Sequence, residues 1–194
     1  MRKLILLSAG LLSLVAVGAA GKTFQIDPAH SAVNFEVRYM MLSNVSGSFT
    51  DFGGTFDYDP EDPGKWQTSA EIQAASINTG NGDRDDHLRS ADFFAVEQHP
   101  TLSFRSTGLK KVGDDHELHG ELTILDTTRP VVLDLELVGE MPDPRTGGTR
   151  MAWEATGTID RKDFGMTWSR ALDGGGLVVG DEIDIELAIQ GVAE

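Results

Sequence analysis

Apolar side chains recur at every second position along most of this 194-residue chain. Val33, Phe35, Val37 and Tyr39 fall on one face of the first run, with Asn34, Glu36 and Arg38 on the other. The pattern returns at Ala70-x-Ile72-x-Ala74, Leu118 to Ile124, Val131 to Leu137, Met151 to Ile159 and Ile183 to Ile189. A period of two is strand spacing, because strand side chains alternate between faces whereas a helix groups positions three and four apart. The stretch from Val45 to Tyr58 also alternates but loses step between Phe49 and Phe52, which predicts a bulge or bend at Thr50-Asp51. Turn formers separate the runs at Pro60 to Gly64, Gly113-Asp114-Asp115, Asp126-Thr127-Thr128 and Pro142 to Gly148. Gly174-Gly175-Gly176 reads as a hairpin tip; with no Lys-Ser/Thr after it, a phosphate loop is not supported. About eight antiparallel strands result, as a sandwich or a closed barrel. Closure removes edge strands, and an eight-stranded barrel is either filled or holds one small ligand. The residues alone do not choose between these.

One stretch breaks the pattern, from Ile77 to Phe104. Gly80-Asn81-Gly82 is turn chemistry, and Asp83 is the expected helix cap, with Asp85 and Asp86 in the first turn and Arg89 in the last. Leu88, Phe93 and Phe94 give this short helical insert, near residues 83–97, something to bury. His99-Pro100 ends it, because a residue before proline is pushed towards extended geometry, and Leu102 and Phe104 open the next strand.

The chain start has its own composition. Arg2 and Lys3 precede an apolar run from Leu4 to Val17, and Gly18-Ala19-Ala20 supplies small residues for cleavage. Residues 1–20 therefore read as a secretory signal peptide, too short for a membrane anchor, and 21–194 as a single domain in the periplasm. The chain has no cysteine. Neither a lipid attachment point nor a disulfide is available, so the core must hold the fold unaided. Net charge is −15, and −17 without Arg2 and Lys3. That balance argues against nucleic acid as a partner and against tight docking on anionic lipid surfaces, with no stable membrane insertion expected.

Three groups of residues are candidates for chemistry. Phe35, Val37, Phe49, Phe104, Leu122, Leu133, Leu135 and Trp153 share the apolar strand face. On the residues alone such a face more often packs as a core than lines a hollow. Met40-Met41-Leu42 and Met166-x-Trp168 lie at strand ends or corners, where they either line a tunnel mouth or pack as loops. Arg84, Asp85 and His87 form the strongest polar cluster. A catalytic reading makes His87 a base oriented by Asp85, but the chain has no nucleophile motif, neither Gly-x-Ser-x-Gly nor any cysteine. The favoured reading is structural, with Arg84 and Asp83 fixing the insert to the barrel. His116 and His119 are three apart, on opposite faces of a strand, so no metal site is expected.

Taken together, Ile26-Asp27-x-x-His30-Ser31, Val45-x-Gly47-x-Phe49, Ser76-Ile77-x-Thr79-Gly80, Arg84-Asp85-x-His87-Leu88, Asp92-Phe93-Phe94, His99-Pro100, Gly120-x-Leu122-Thr123-Ile124, Arg161-x-Asp163-Phe164-Gly165 and Val179-Gly180-Asp181 resemble the YceI-like family of bacterial polyisoprenoid-binding proteins. The order and spacing cover nearly all of 21–194. The chain departs from the family pattern at Phe24-Gln25, where Trp is usual, at Arg38-Tyr39, and at Asp126, where a turn glycine is usual. The resemblance implies an all-β, extended eight-stranded antiparallel lipocalin-like barrel whose apolar face surrounds a tunnel. It implies a periplasmic carrier of a polyisoprenoid lipid or quinone, not an enzyme, with no cofactor and with a homodimer as an assembly to expect. Phe35, Val37, Met40, Phe49, Phe104, Leu122, Leu133, Leu135, Trp153, Met166 and Trp168 then hold the tail, and Arg84 and His87 are the candidates for headgroup contact. The alternative is a hydrolase or isomerase acting on a lipid-like substrate through His87.

Overall fold

The computed structural model describes residues 21–113, 115–171 and 177–193. The signal-like segment and the triple-glycine tip lie outside them. Eleven strands are present among the described residues: β1 (Lys22–Ile26), β2 (Ala32–Tyr39), β3 (Ser43–Phe49), β4 (Phe52–Tyr58), β5 (Gln67–Gln73), β6 (Ile77–Asn78), β7 (Thr101–Val112), β8 (Asp115–Ile124), β9 (Thr127–Pro142), β10 (Thr149–Asp160) and β11 (Val179–Ala193). Eight of them close into an antiparallel barrel in the order β1-β4-β5-β7-β8-β9-β10-β11, with β11 returning to β1. The strands β2, β3 and β6 continue the wall from β11.

Three long strands, β1–β2, β3–β4 and β5–β6, each broken once, explain why eleven segments make an eight-stranded barrel. Both β1 and β2 run antiparallel to β11, with Gln25 opposite Val192 and Val33 opposite Leu187. Between them Pro28 starts a single 3₁₀ turn (Pro28–His30), capped by Asp27, whose carboxylate accepts from the Ala29 N–H. The chain β3–β4 breaks at Thr50-Asp51, where the lost step in the alternation predicts it. The strand β1 was not legible as a strand, because its five residues hold too little alternation to stand apart from the preceding segment.

The helical insert is α1 (Gly82–Arg89), followed by turns rather than further helix, so it is shorter than the predicted 83–97. Its cap is Asn81, not Asp83: the Arg84 N–H donates to Asn81 Oδ1 at 3.1 Å. The turn Leu125-Asp126 likewise puts positive φ on Leu125 (55°) rather than on Asp126.

The first kink is held by charge. Arg150 on β10 donates to Asp27 Oδ2 at 2.9 Å, to Gln190 Oε1 at 2.7 Å and to Asp143 Oδ2 at 2.8 Å. His30 meets the same Asp27 oxygen at 2.8 Å, and Ser31 Oγ donates to the Asp27 carbonyl. One guanidinium thus joins the kink to β11 and to the β9–β10 loop. Asp143 is buried, yet the backbone N–H of Arg145, and then Arg150, hold its carboxyl below the ordinary 3.8. Asp27 is lowered chiefly by its hydrogen bond from Arg150. Carboxyls lowered in the folded state contribute stability above their unfolded pKa and lose it as pH falls through the folded value. Replacing Arg150 with Met is therefore expected to lower the urea midpoint most at neutral pH. The gap to wild type should narrow as pH falls below about 4. Urea unfolding across pH checks this, and a gap independent of pH would contradict it.

Candidate functional site

The barrel interior is solid at one end and hollow at the other. At the solid end Phe24 stacks on Phe56 (5.0 Å between centroids) and Phe56 on Trp66 (5.4 Å), while Trp153 meets both Phe56 and Trp66 edge-on at 5.9 Å. Gly191 makes this possible: a Cβ there would lie 2.5 Å from the Phe56 ring. Leu135 is buried at this end and does not border the hollow.

Beyond Trp153 lies a cavity of about 540 Å³. Its wall is built from the inward positions of β2, β3, β11 and the far halves of β7 to β10: Phe35, Val37, Phe49, Phe104, Leu122, Leu133, Ile159, Ile183, Ile185 and Leu187 among them. Several of these apolar residues are only partly buried, because their inner surface faces the hollow. Two rings lie flat against the wall instead of crossing it. A Cβ on Gly47 would sit 2.3 Å from Phe35 Cζ, and one on Gly120 would sit 2.3 Å from Phe104 Cζ. Each ring occupies the place where the neighbouring strand has no side chain, which leaves the centre open.

The open end is bordered by Tyr39 and Val45 of the β2–β3 hairpin, by Val178, by Trp168, and by Thr79, Asp83, Arg84 and His87 of the insert. The insert is fixed by more than one contact. Asp85 is buried and accepts from the Thr79 N–H at 2.9 Å and the Thr79 hydroxyl at 2.5 Å. Burial works against its charge, but those two bonds, with the charges of Arg89 and Arg84, leave its carboxyl below the usual value. Arg84 donates to Thr79 Oγ1 and the Thr79 carbonyl, and Arg89 to the carbonyls of Ala75 and Ile77. Anchoring therefore falls to Asp85 and Arg89, with Arg84 on Thr79, and not to the expected pair of Arg84 and Asp83. Phe94 then meets Phe49 edge-on at 5.7 Å, which seats the insert against β3.

His87 is partnered by Asp92 at 2.9 Å, not by Asp85. Its ring presses edge-on against Phe93 (5.1 Å) and Trp168 (5.0 Å). The catalytic reading paired His87 with Asp85, but Asp85 points its carboxylate at Thr79 and Asp92 takes the place beside His87. Arg161, buried in the 3₁₀ corner Arg161–Phe164, donates to the carbonyls of Met166, Trp168 and Gly180 and to Asp181 at 2.9 Å. It thereby places Met166 and Trp168 on the cavity wall.

Most of the sequence candidates meet here. Phe35, Val37, Phe49, Phe104, Leu122, Leu133, Trp153, Met166, Trp168, Arg84 and His87 all line the cavity. Met40 does not; it sits in the exposed β2–β3 turn, and Leu135 is packed beneath the floor. Ile183, Ile185, Leu187 and Ile189 line it too, and their alternation was the available signal. The Trp153 indole N–H, at the floor, is buried without a hydrogen-bond partner among the described residues.

Comparison with known proteins agrees with this geometry. The YceI-like domain matches residues 24–191. A YceI protein of Escherichia coli is 36% identical over 195 residues, covering 100% of this chain and 98% of its own. A UPF0312 protein of Pectobacterium atrosepticum is 36% identical over 193 residues, covering 95% and 97%. Among solved structures, a YceI protein of Campylobacter jejuni superposes with a TM-score of 0.68 at 27% identity, over 81% of this chain and 90% of that one. BcnA of Burkholderia cenocepacia gives 0.75 at 20% identity, over 85% and 98%, a likeness of fold. A polyisoprenoid-binding domain from Saccharophagus degradans, implicated in plant cell wall breakdown, gives 0.65 at 15% identity, over 88% and 98%. With a closed eight-stranded barrel, a matching domain over most of its length and full-length relatives at this identity, the chain belongs to the YceI-like family.

Proposed function

We propose that this protein binds and carries a long apolar isoprenoid, a prenyl quinone or polyprenyl phosphate, in the barrel, in the periplasm after removal of residues 1–20. The observation that carries the reading is the hollow itself: about 540 Å³ walled almost wholly by apolar side chains and floored by an aromatic stack. That volume is in the usual range for small-molecule sites. Each buried methylene is worth ~0.8 kcal/mol, so a dry channel binds a hydrocarbon tail with few polar contacts. The name of the Saccharophagus domain points to the same ligand class. Asp83, Arg84 and His87 stand at the mouth, where Arg84 and His87 suit a headgroup. His87 has its ring nitrogen on Asp92 and its ring against two aromatics, which suits a wall residue better than a general base.

Native mass spectrometry of protein purified without detergent is expected to show a bound lipid. Added prenyl lipid at a hundred times its Kd should raise stability by about 2.7 kcal/mol. His87→Ala should keep that stabilisation within about twofold in Kd, about 0.4 kcal/mol. Protein that stays empty and gains no thermal stability would contradict the proposal, and turnover of a lipid ester lost in His87→Ala would favour the hydrolase.

The flat-lying rings give a sharper test of the same cavity. Gly47→Ala should swing the Phe35 ring into the lumen and weaken prenyl binding by about tenfold, with the fold kept. Equal affinity by tryptophan quenching would show that the ring's position does not set the channel width.

A further inference from the structure

We propose that the turn Tyr39–Leu42 is a docking tip that enters the outer layer of a lipid bilayer and sets the cavity mouth against it. The proposal rests on the carrier reading above and names where the ligand is taken up.

Four consecutive large apolar residues are exposed here: Tyr39, Met40, Met41 at 62% and Leu42 at 83%. Isolated exposed apolar residues are ordinary, but a run of four at one hairpin end is not. The tip is also the lip of the hollow. Tyr39 lines the cavity, and the Met40 N–H donates at 2.8 Å to the carbonyl of Val178, which lines it too.

The backbone adds an independent observation. The Leu42 N–H donates to the Tyr39 carbonyl at 3.0 Å, with Met40 at φ 50° and Met41 at φ 57°. A β-turn with both central residues in the left-handed region is normally built from Asn, Asp or Gly. Methionine at both places gives up local stability to display apolar side chains. Arg38 holds the turn in shape, donating to Asn44 Oδ1 at 2.8 Å and to the Met41 carbonyl at 3.4 Å.

Charge and size identify the occupant. No Asp or Glu occurs between Glu36 and Asp51, in a chain of net charge −15. The tip therefore carries no acidic side chain of its own to oppose a lipid surface. Four residues are too few for a stable protein interface, which buries about 1,000 Å² or more. A few apolar side chains suffice for weak, reversible association with a bilayer, which scales with the apolar area buried. An isoprenoid with a long tail resides in lipid, so a mouth brought to the bilayer spares the tail a passage through water.

The test uses residues 21–194, which contain every described strand, and vesicles of phosphatidylcholine. The wild-type chain is expected to float with the vesicles equally at low and high salt, since apolar contact is not screened. A variant carrying Met40→Asn, Met41→Gly and Leu42→Ser has better turn residues. It should melt no lower than wild type, bind vesicles about tenfold less, and bind soluble farnesol as wild type does. Failure of the wild type to float, or equal flotation of the variant, would overturn the tip. So would a wild-type dimer that the variant splits without any vesicle binding, which would assign the patch to a second copy. Flotation without farnesol binding would keep the tip and count against the carrier reading instead.

Discussion

A ring of eight hydrogen-bonded strands cannot contract to meet its own side chains. Once β11 pairs with β10 on one side and with β1 and β2 on the other, the backbone sets the interior width. Whether the interior is solid then depends only on the size and direction of the inward residues. Phe24, Phe56, Trp66 and Trp153 fill one end, each ring in contact with another. At the other end the inward positions are Val37, Val45, Ile159, Ile183 and Ile185, and the Phe35 and Phe104 rings lie flat over glycines. Branched aliphatic side chains of that length do not reach across a barrel of this width. The hollow is thus a consequence of closure, where an open sandwich would have collapsed on it.

The polar residues are spent on keeping that ring bent in the right places. Arg150 binds Asp27 and Asp143 where the β1–β2 strand kinks. Arg161 gathers the carbonyls of Met166, Trp168 and Gly180 where β10 gives way to the crossing towards β11. Asp85 and Arg89 clamp the insert over the gap beside β3. Each of these is a charged group satisfied by backbone or by its counter-ion, as burial requires. These polar networks shape the container.

Much of this was legible before any coordinates. Strict alternation in β8 to β11 located the wall, and the lost step at Thr50-Asp51 located a break. The motif around Asp27 and His30 was visible, but its role was not, because Arg150 and Asp143 that complete it are more than a hundred residues away. The same limit explains Leu135. It shares the face of Leu133, and only the position of the aromatic stack along the barrel decides that one is floor and the other wall. Asp83 and Asn81 are near-equal as caps by chemistry, and only the extended backbone at Asn81, with its side chain on the Arg84 N–H, shows which one caps. Whether the core was solid or hollow could not be read from composition, since the answer turns on where two rings lie.

Diffraction from crystals held under xenon tests the central claim most directly, because an apolar cavity that stays dry takes up xenon. The account predicts xenon between Phe35, Ile185 and Leu187 and none within the stack of Phe24, Phe56 and Trp66. A lumen without xenon, closed by side chains meeting across it or threaded by ordered waters, would contradict it.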